Sequence, residues 1–214
     1  MNTNWRDKQL EHWNARTKDH VSTHPDPFQN QLELEFMLKH VQGRVLNGGC
    51  GPGFETRECS DSTGFAVGID ISKKMIQVAS QWANESTFFR IGDVLNLKPI
   101  RDEFGLFDTI TTRRTLINLN GWIEQRKAIE EFRDCLTPNG RLILIEGTEE
   151  DYAELNTLRR AMELPEIVVR DFNRSLPLRK FEKYMKEGWN LVTEDFLGVY
   201  YFLTRVFYPL FEEP

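Results

Sequence analysis

The segment that begins at Val45 constrains the fold most, because a short apolar run there leads into a turn crowded with glycine. Gly48, Gly49, Gly51 and Gly53 all fall within this turn. Glycine has no Cβ, so such a turn at a strand end lets a ligand lie close to the backbone. In open α/β sheets, ligands bind beyond the carboxyl ends of the strands. The segment therefore predicts a strand, a nucleotide-type pocket and a following helix.

A second apolar run ends in Asp70, roughly 20 residues after the glycine turn, where a Rossmann-type unit places a carboxylate against ribose hydroxyls. The dinucleotide fingerprint Gly-x-Gly-x-x-Gly is incomplete, because Phe54 stands where its third glycine is required. Binding of NAD or FAD, and with it an oxidoreductase activity, is therefore disfavoured. Another nucleoside ligand is favoured.

Strand-like and helix-like segments alternate through the middle of the chain, which is typical of parallel βαβ units with helices on both faces of the sheet. The predicted strands are Arg44–Asn47, Ala66–Asp70, Thr87–Ile91, Phe107–Thr112 and Arg141–Glu146. Two predicted helices precede them, Asn4–Asp19 and Phe28–Val41. Two aromatic-rich strands are expected to close the chain, Asn190–Phe196 and Gly198–Tyr208.

The composition bounds the class of protein. A chain of 214 residues, 40% of them hydrophobic, can form one sizeable core, so we expect a single domain. Its net charge of -6 opposes attraction to phosphate backbones, so a small-molecule partner is favoured over nucleic acid. Three cysteines without metal spacing favour a reducing compartment and no metal site. Without a long apolar run we expect neither a signal peptide nor a membrane span, and hence a cytoplasmic protein.

Taken in order, the motifs resemble those of the class I S-adenosylmethionine-dependent methyltransferases. The matching segments are Asn47–Gly53, Gly68–Ser72, Met75, Ala79, Gly92–Val94, Phe107–Asp108 and Leu136–Leu142. The resemblance implies an α/β Rossmann-like methyltransferase fold, in which a mostly parallel seven-stranded sheet has an antiparallel carboxyl-terminal strand. It divides the single domain into amino-terminal helices (1–42), a cofactor-binding core (43–147), a helical substrate-side insertion (148–189) and a terminal strand pair (190–214).

The resemblance also implies which residues bind S-adenosylmethionine. Asp70 would accept the ribose hydroxyls and Asp93 the adenine amino group, with the Val94 amide near the ring, since carboxylates only accept hydrogen bonds. Either acid has an alternative role as the cap of the next helix, and Trp13 has one as a core residue. The full predicted set is Trp13, Arg16, Asn47, Gly49, Cys50, Gly51, Gly53, Asp70, Ile71, Met75, Asp93 and Val94.

One position departs from the family pattern. Asn47 stands where the family usually has an acid that orients the amino acid moiety of the cofactor. Asparagine keeps an acceptor oxygen but carries no charge, and charge-assisted hydrogen bonds are roughly twice as strong as neutral ones. We therefore expect weaker cofactor binding than an aspartate would give.

The methyl acceptor is expected at the ends of the fourth and fifth strands, where Arg113, Asn118 and Glu146 are the candidate catalytic residues. Glu146 would take a proton from the acceptor, or it caps a helix or pairs with an arginine. Arg113 and Arg114 would hold a phosphate or carboxylate of the acceptor, or one of these arginines forms an ordinary surface ion pair. Asn118 belongs to a run that resembles a subgroup of bacterial methyltransferases.

The expected activity is transfer of a methyl group from S-adenosylmethionine to an oxygen or nitrogen of a small molecule, a sugar or another metabolite. The sulfonium supplies the electrophile, so the protein must align and desolvate the acceptor, and a dedicated base is optional. The alternative is a non-catalytic S-adenosylmethionine-binding regulatory protein. The neutral Asn47 and the lack of a recognisable acceptor motif favour that alternative.

Overall fold

The computed structural model describes residues 5–15 and 26–211, and its centre is a five-stranded sheet in which all neighbouring strands are parallel. The strands are β1 (Val45–Gly48), β2 (Ala66–Asp70), β3 (Thr87–Ile91), β4 (Phe107–Arg113) and β5 (Leu136–Ile145). Their order across the sheet is β3-β2-β1-β4-β5. The order reverses between β1 and β4, which is the switch point where open α/β sheets bind ligands.

Nine α-helices occur in the described ranges, and short 3₁₀ or π turns extend several of them. The helices are α1 (Trp5–Ala15), α2 (Pro27–His40), α3 (Phe54–Thr63), α4 (Lys73–Ala79), α5 (Lys98–Phe104), α6 (Trp122–Cys135), α7 (Glu149–Ala161), α8 (Leu178–Met185) and α9 (Gly198–Phe202). None of these helices is both long and apolar enough to cross a membrane.

The two faces of the sheet are buried by different helices, as the alternation of side chains along a strand requires. On one face, Leu46 packs in a cluster with Ile129 and Phe132 of α6. On the other face, the neighbouring Val45 packs with Met37 of α2 and with a cysteine of α3. With both faces covered, β1 and β2 are apolar up to Asn47 and Asp70 near their carboxyl ends.

The pairing register brings the carboxyl ends of the central strands to one edge. Asn47 of β1 pairs with Gly68 of β2 on one side and with Thr111 of β4 on the other. The loops that follow these three strands therefore meet above the same edge. This edge carries the glycine turn, the loop after Asp70 and the segment after β4.

The prediction of seven strands with an antiparallel carboxyl-terminal strand is wrong for the described part of the chain, where all five strands are parallel. The segment 190–197 has no regular structure, and residues 198–210 are helical in place of the predicted strand. Tyr201 and Arg205, four residues apart, both reach the start of α2, where they contact Gln29 and Asp26. Packing at helical spacing overrides the strand propensity of the aromatic run.

Smaller differences concern the ends of elements. β5 begins at Leu136, earlier than the predicted start at Arg141, so it includes the predicted turn at residues 138–140. The pairing of β5 with β4 is irregular at this turn, because the register shifts between Phe107 and Thr109 of β4. Helix α5 was not predicted. The last residues of the predicted first helix, Arg16 to Asp19, lie outside the described ranges.

Candidate active site

The glycine turn after β1 is held against the end of β2. The amides of Gly49 and Cys50 both donate to the Ile69 carbonyl at 2.8 Å. Gly49 has φ +74, and a Cβ there would lie 2.2 Å from Thr115 Oγ1, so only glycine fits. Gly49, Cys50 and Gly51 line the main cleft of the protein. The turn therefore leaves backbone exposed to a ligand, as the sequence predicts.

Gly53, the last glycine of the turn, has a packing role. A Cβ at Gly53 would lie 2.7 Å from Ala79 Cβ and 2.8 Å from Phe89 Cε1, so Gly53 lets α3 begin close to α4 and β3. Gly53 is buried and does not line the cleft, although it belongs to the predicted binding set. Two other predicted residues, Ile71 and Met75, do line it.

Asp70 closes the turn from the end of β2. Its Oδ2 accepts the Gly51 amide at 3.0 Å and its Oδ1 accepts the Ser72 amide at 2.8 Å. Burial raises the pKa of the Asp70 carboxyl, and the two amide hydrogen bonds oppose that rise. Ser72, whose hydroxyl accepts the Met75 amide, is the cap of α4. A carboxylate offers about four acceptor positions, so Asp70 can orient the loop and still accept ribose hydroxyls.

Asp93 lies at the next position along the edge, after β3. Its Oδ1 accepts the Leu95 amide at 2.9 Å, and its Oδ2 pairs with the guanidinium of Arg6 at 2.8 Å. Asp93 and Val94 both line the cleft. The sequence did not indicate Arg6, because the pairing depends on how α1 lies across the fold.

Helix α1 crosses the cleft between its two sides. The Trp5 indole donates to the Asn118 carbonyl at 3.4 Å, and the Ser72 hydroxyl bonds the Asn14 side chain at 2.8 Å. Trp13 is half-buried, lines the cleft and packs edge-on to Phe172, with 6.5 Å between the ring centroids. Trp13 is thus at the cleft rather than in the main core, while Arg16 lies outside the described residues.

Asn47 lies beneath the turn and not in the cleft. Its side chain is 1% exposed, and its Nδ2 donates to Thr56 Oγ1 at 3.3 Å. Its Oδ1 is buried and has no hydrogen-bond partner among the described residues. An acceptor without a donor costs free energy in a buried place, so this oxygen is available to a donor from a ligand or water.

The cysteine of the turn is not a nucleophile. Burial, and the neighbouring carboxylate of Asp70, raise the pKa of the Cys50 thiol well above its ordinary value. The thiolate is the reactive form, so a raised pKa makes the thiol inert. Cys50 therefore contributes packing and backbone to the site.

Glu146, which follows β5, binds the segment after β4. Its Oε1 accepts the amides of Thr115 at 3.0 Å and Leu116 at 2.9 Å, and its Oε2 accepts that of Ile117 at 3.2 Å. The Thr112 hydroxyl also donates to it at 3.2 Å. Burial raises the pKa of Glu146 to about 7, against the opposing effect of these donors. These contacts stabilise the 3₁₀ turn Leu116–Asn118 that follows β4, whereas the helix after Glu146 is capped by Thr148.

Arg113 is buried in an ion-pair network and does not reach out as a free cation. Its guanidinium pairs with Glu33 of α2 at 3.0 Å and with Glu55 of α3. Burial lowers the pKa of Arg113 to about 10, and the positive charge of the adjacent Arg114 contributes to this shift. The next residue, Arg114, lines the cleft and shares the same Glu33 oxygen at 2.5 Å. Both arginines line the cleft, and Arg114 is the more exposed of the two.

Asn118 also turns inward. Its Nδ2 donates to the Arg114 carbonyl at 2.6 Å, which stabilises the loop after β4. Tyr152, which the sequence did not single out, lies at the end of β5. The ring of Tyr152 packs on Gly147, where a Cβ would lie 3.2 Å from Tyr152 Cε2. In the sequence, this close approach is indicated only by Gly147, which directly follows Glu146 at the strand end.

A model of the methyltransferase domain family matches residues 39–177, which is more than half of the chain. The protein belongs to this family. The predicted class I fold family is thereby confirmed, and with it S-adenosylmethionine as the cofactor.

Individual relatives of this methyltransferase agree with the family assignment. The uncharacterised methyltransferase YcgJ of Bacillus subtilis (strain 168) is 26% identical over 179 residues, which cover 77% of this chain and 68% of YcgJ. The solved complex of DhpI with SAM and HEP is 20% identical, with a TM-score of 0.65 over 89% of this chain and 92% of DhpI. The N-methyltransferase NodS from Bradyrhizobium japonicum WM9, solved with S-adenosyl-L-homocysteine, is 19% identical, with a TM-score of 0.58 over 67% of this chain and 76% of NodS.

The cleft of the methyltransferase collects most of the predicted cofactor residues, and it encloses about 1740 Å³, more than the roughly 300–1,000 Å³ of an ordinary ligand site. The predicted residues that line it are Trp13, Gly49, Cys50, Gly51, Asp70, Ile71, Met75, Asp93 and Val94. Asn47 and Gly53 lie behind them. The lining also includes residues 136–140 at the start of β5, so the cleft extends well beyond the predicted cofactor residues.

Proposed function

We propose that the protein transfers a methyl group from S-adenosylmethionine to an oxygen or nitrogen of a small molecule, such as a sugar or another metabolite. One observation carries this proposal: the bare glycine turn and the carboxylates of Asp70 and Asp93 lie at adjacent strand ends in one cleft. In this arrangement Asp70 would accept the ribose hydroxyls and Asp93 the adenine amino group. The amide-rich turn would lie against the rest of the cofactor.

The sulfonium of the bound cofactor supplies an electrophilic methyl group, whose bond to sulfur breaks as the acceptor atom attacks in line. The chain's own part is then to hold the acceptor in line and to exclude water. The segment after β4 is suited to this task, because Glu146 holds three of its successive amides in place. We assign Glu146 to positioning, since its carboxylate is already engaged.

Residues 148–189 would form the acceptor side of the cleft. Helix α7 is fixed at its start by Thr148, whose hydroxyl accepts the Asp151 amide at 3.0 Å. Its first turn presents Tyr152 to the cleft. A net charge of -6 opposes binding of polyanions, which supports a small acceptor over nucleic acid.

Titration calorimetry with S-adenosylmethionine and S-adenosylhomocysteine tests the proposal. Both should bind one to one, and Asp70→Ala and Asp93→Ala should each weaken binding by at least about tenfold, because each removes hydrogen bonds to a charged acceptor. Asp61→Ala is the matched control, since Asp61 is an exposed acid on α3. If wild-type protein bound neither compound, the proposal would be wrong.

The second candidate function is a non-catalytic binder of the same cofactor. Two observations favour it: Asn47 lacks the usual charge, and both oxygens of Glu146 are occupied by loop donors. Incubation with S-adenosylmethionine and a metabolite extract separates the two functions. Formation of S-adenosylhomocysteine above the rate without extract supports the enzyme, and binding without any turnover supports the regulator.

A further inference from the structure

Arg114 stands out at the end of β4, because its backbone has φ +52 although it is not a glycine. Side chains rarely adopt this left-handed conformation, and residues that do so cluster at ligand sites, where the surroundings impose it. At Arg114, hydrogen bonds fix its own amide and the amide of the next residue. The Arg114 amide donates to the Ile145 carbonyl at 2.8 Å, and the amide of the next residue, Thr115, donates to Glu146. The strained backbone directs the Arg114 side chain to a place that lines the cleft.

The guanidinium of Arg114 is only partly neutralised there. Nη1 shares one Glu33 oxygen with Arg113, and Nη2 donates to Asn30 Oδ1 at 3.1 Å. Arg113 has a second carboxylate, that of Glu55, and Arg114 has no other among the described residues. A guanidinium has five N–H donors, so Arg114 keeps donors for a further partner.

The exposed fraction of the side chain also distinguishes Arg114 from Arg113. The side chain of Arg113 is 6% exposed and that of Arg114 is 21% exposed. The deeper arginine is therefore structural, and the outer one can meet a ligand. A planar guanidinium with spare donors matches the geometry of a carboxylate or a phosphate.

Tyr152 is a second polar group in the lining of the cleft that contains Arg114. Its ring is fixed against Gly147, and its hydroxyl has no hydrogen-bond partner among the described residues. Both Tyr152 and Arg114 lie close enough to the Tyr201 hydroxyl to influence its pKa, which burial raises to about 12. All three side chains line the same cleft.

We propose that the methyl acceptor carries a carboxylate or phosphate group, which pairs with the remaining N–H donors of Arg114 and accepts a hydrogen bond from the Tyr152 hydroxyl. This inference rests on the proposed function, since it assigns the substrate class of the same cleft. It places the charged group of the acceptor at the ends of β4 and β5. The atom to be methylated then lies between this anchor and the glycine turn.

The test uses simple anions, because the whole acceptor is not identified. Acetate and inorganic phosphate are titrated separately into protein saturated with S-adenosylhomocysteine, at constant ionic strength, and binding is followed by calorimetry. At least one anion should bind one to one, and the preferred anion tells a carboxylate from a phosphate acceptor. Arg114→Gly should weaken its binding by at least about tenfold, and Tyr152→Phe by a smaller factor.

The choice of the two arginine variants makes the result of this test interpretable. Glycine adopts φ +52 without strain, and Glu33 keeps Arg113 as a partner when Arg114 is removed. Arg114→Gly should therefore remain folded and keep an affinity for S-adenosylhomocysteine close to that of the wild type. Arg90→Ala is the control and should leave anion binding unchanged. Arg90 belongs to β3, and its exposed side chain pairs with Glu103 of α5.

Three results would contradict the proposals, and they are distinguishable. Failure of S-adenosylhomocysteine to bind the wild type contradicts the proposed function. Binding of S-adenosylhomocysteine without saturable binding of either anion contradicts only the anionic acceptor. Equal anion affinity in wild type and Arg114→Gly contradicts the assignment to Arg114.

Discussion

Substitution of two glycines can separate the effect of the glycine turn on cofactor binding from the backbone strain that any larger residue would cause there. Gly51 has φ +52 and Gly64 has φ +86, and at both positions an added Cβ would meet nothing within 4 Å. Gly51 lines the cleft, whereas Gly64 ends α3 on the far side of that helix from the turn. Gly51→Ala and Gly64→Ala are therefore a matched pair that differs in one respect, the presence of a ligand site.

The expected magnitudes follow from this geometry. Each alanine occupies a left-handed conformation, so each variant should lose about 1–2 kcal/mol of unfolding free energy. At Gly51 the methyl group also enters the space of the cofactor. Overfilling a packed site costs about 1–3 kcal/mol, which corresponds to roughly 5- to 160-fold weaker binding. At Gly64 the affinity should not change.

The measurements are chemical denaturation for stability and calorimetry with S-adenosylhomocysteine for affinity, both on purified protein. The expected pattern is equal destabilisation with loss of binding in Gly51→Ala alone. If Gly51→Ala kept full affinity, the cofactor would not lie against the glycine turn, and the assignment of the cleft would be refuted. If both variants lost affinity in proportion to their stability, the effect would be one of folding and not of contact.

Three further predictions concern charged groups. Asn47→Asp should lower the dissociation constant for S-adenosylmethionine by about three- to tenfold in calorimetry, because a charged acceptor replaces a neutral one, and an unchanged or higher constant would contradict this. Glu146 has a folded-state pKa raised from 4.5 to about 7, so its contribution to stability is full below pH 4.5 and is lost as pH rises through 7. Glu146→Gln should remove roughly 3 kcal/mol of pH dependence between those limits in denaturation curves, whereas parallel curves would refute the assignment. Arg6→Ala should tighten cofactor binding up to about fivefold by freeing Asp93, since a partly exposed ion pair is worth at most about 1 kcal/mol, and weaker binding would show that Arg6 contacts the cofactor instead.

The side of the cleft formed by the glycine turn, Asp70 and Asp93 was predictable because its signals are local. A glycine with positive φ, an acid at the end of an apolar run and a serine cap are each decided within a few residues of the chain. Asp70 illustrates the point, because its amide partners, Gly51 and Ser72, lie in the two loops that the sequence identified. The ordered spacing of these signals also identified the family.

The side of the cleft at the ends of β4 and β5 was less predictable, because its contacts join segments distant in sequence. Arg113 and Glu146 were correctly placed at strand ends, but their partners are Glu33, Glu55 and the loop after β4. A sequence reveals that an arginine is present and does not reveal which carboxylates surround it. For the same reason Arg6 was missed, since its partner Asp93 is brought to it by the path of α1.

The carboxyl-terminal segment shows where local propensity fails. Its aromatic residues favour a strand, but Val206 and the tyrosines before it pack at helical spacing against the rest of the chain. Strand formation also requires a partner with free hydrogen-bonding groups, and none of the described strands pairs with residues 190–208. Strand propensity is largely a matter of such context.

By itself, the sequence determined the βαβ alternation, the positions of the glycine turn and its acids, and through them the methyltransferase family, because these depend on side-chain periodicity and on conformations available only to glycine. Tertiary structure alone decided the number of strands, the course of α1 over the cleft, and which of two adjacent arginines is the more exposed. Those features depend on contacts between distant segments, where burial and charge pairing are shared among several elements and no single stretch of chain contains the information.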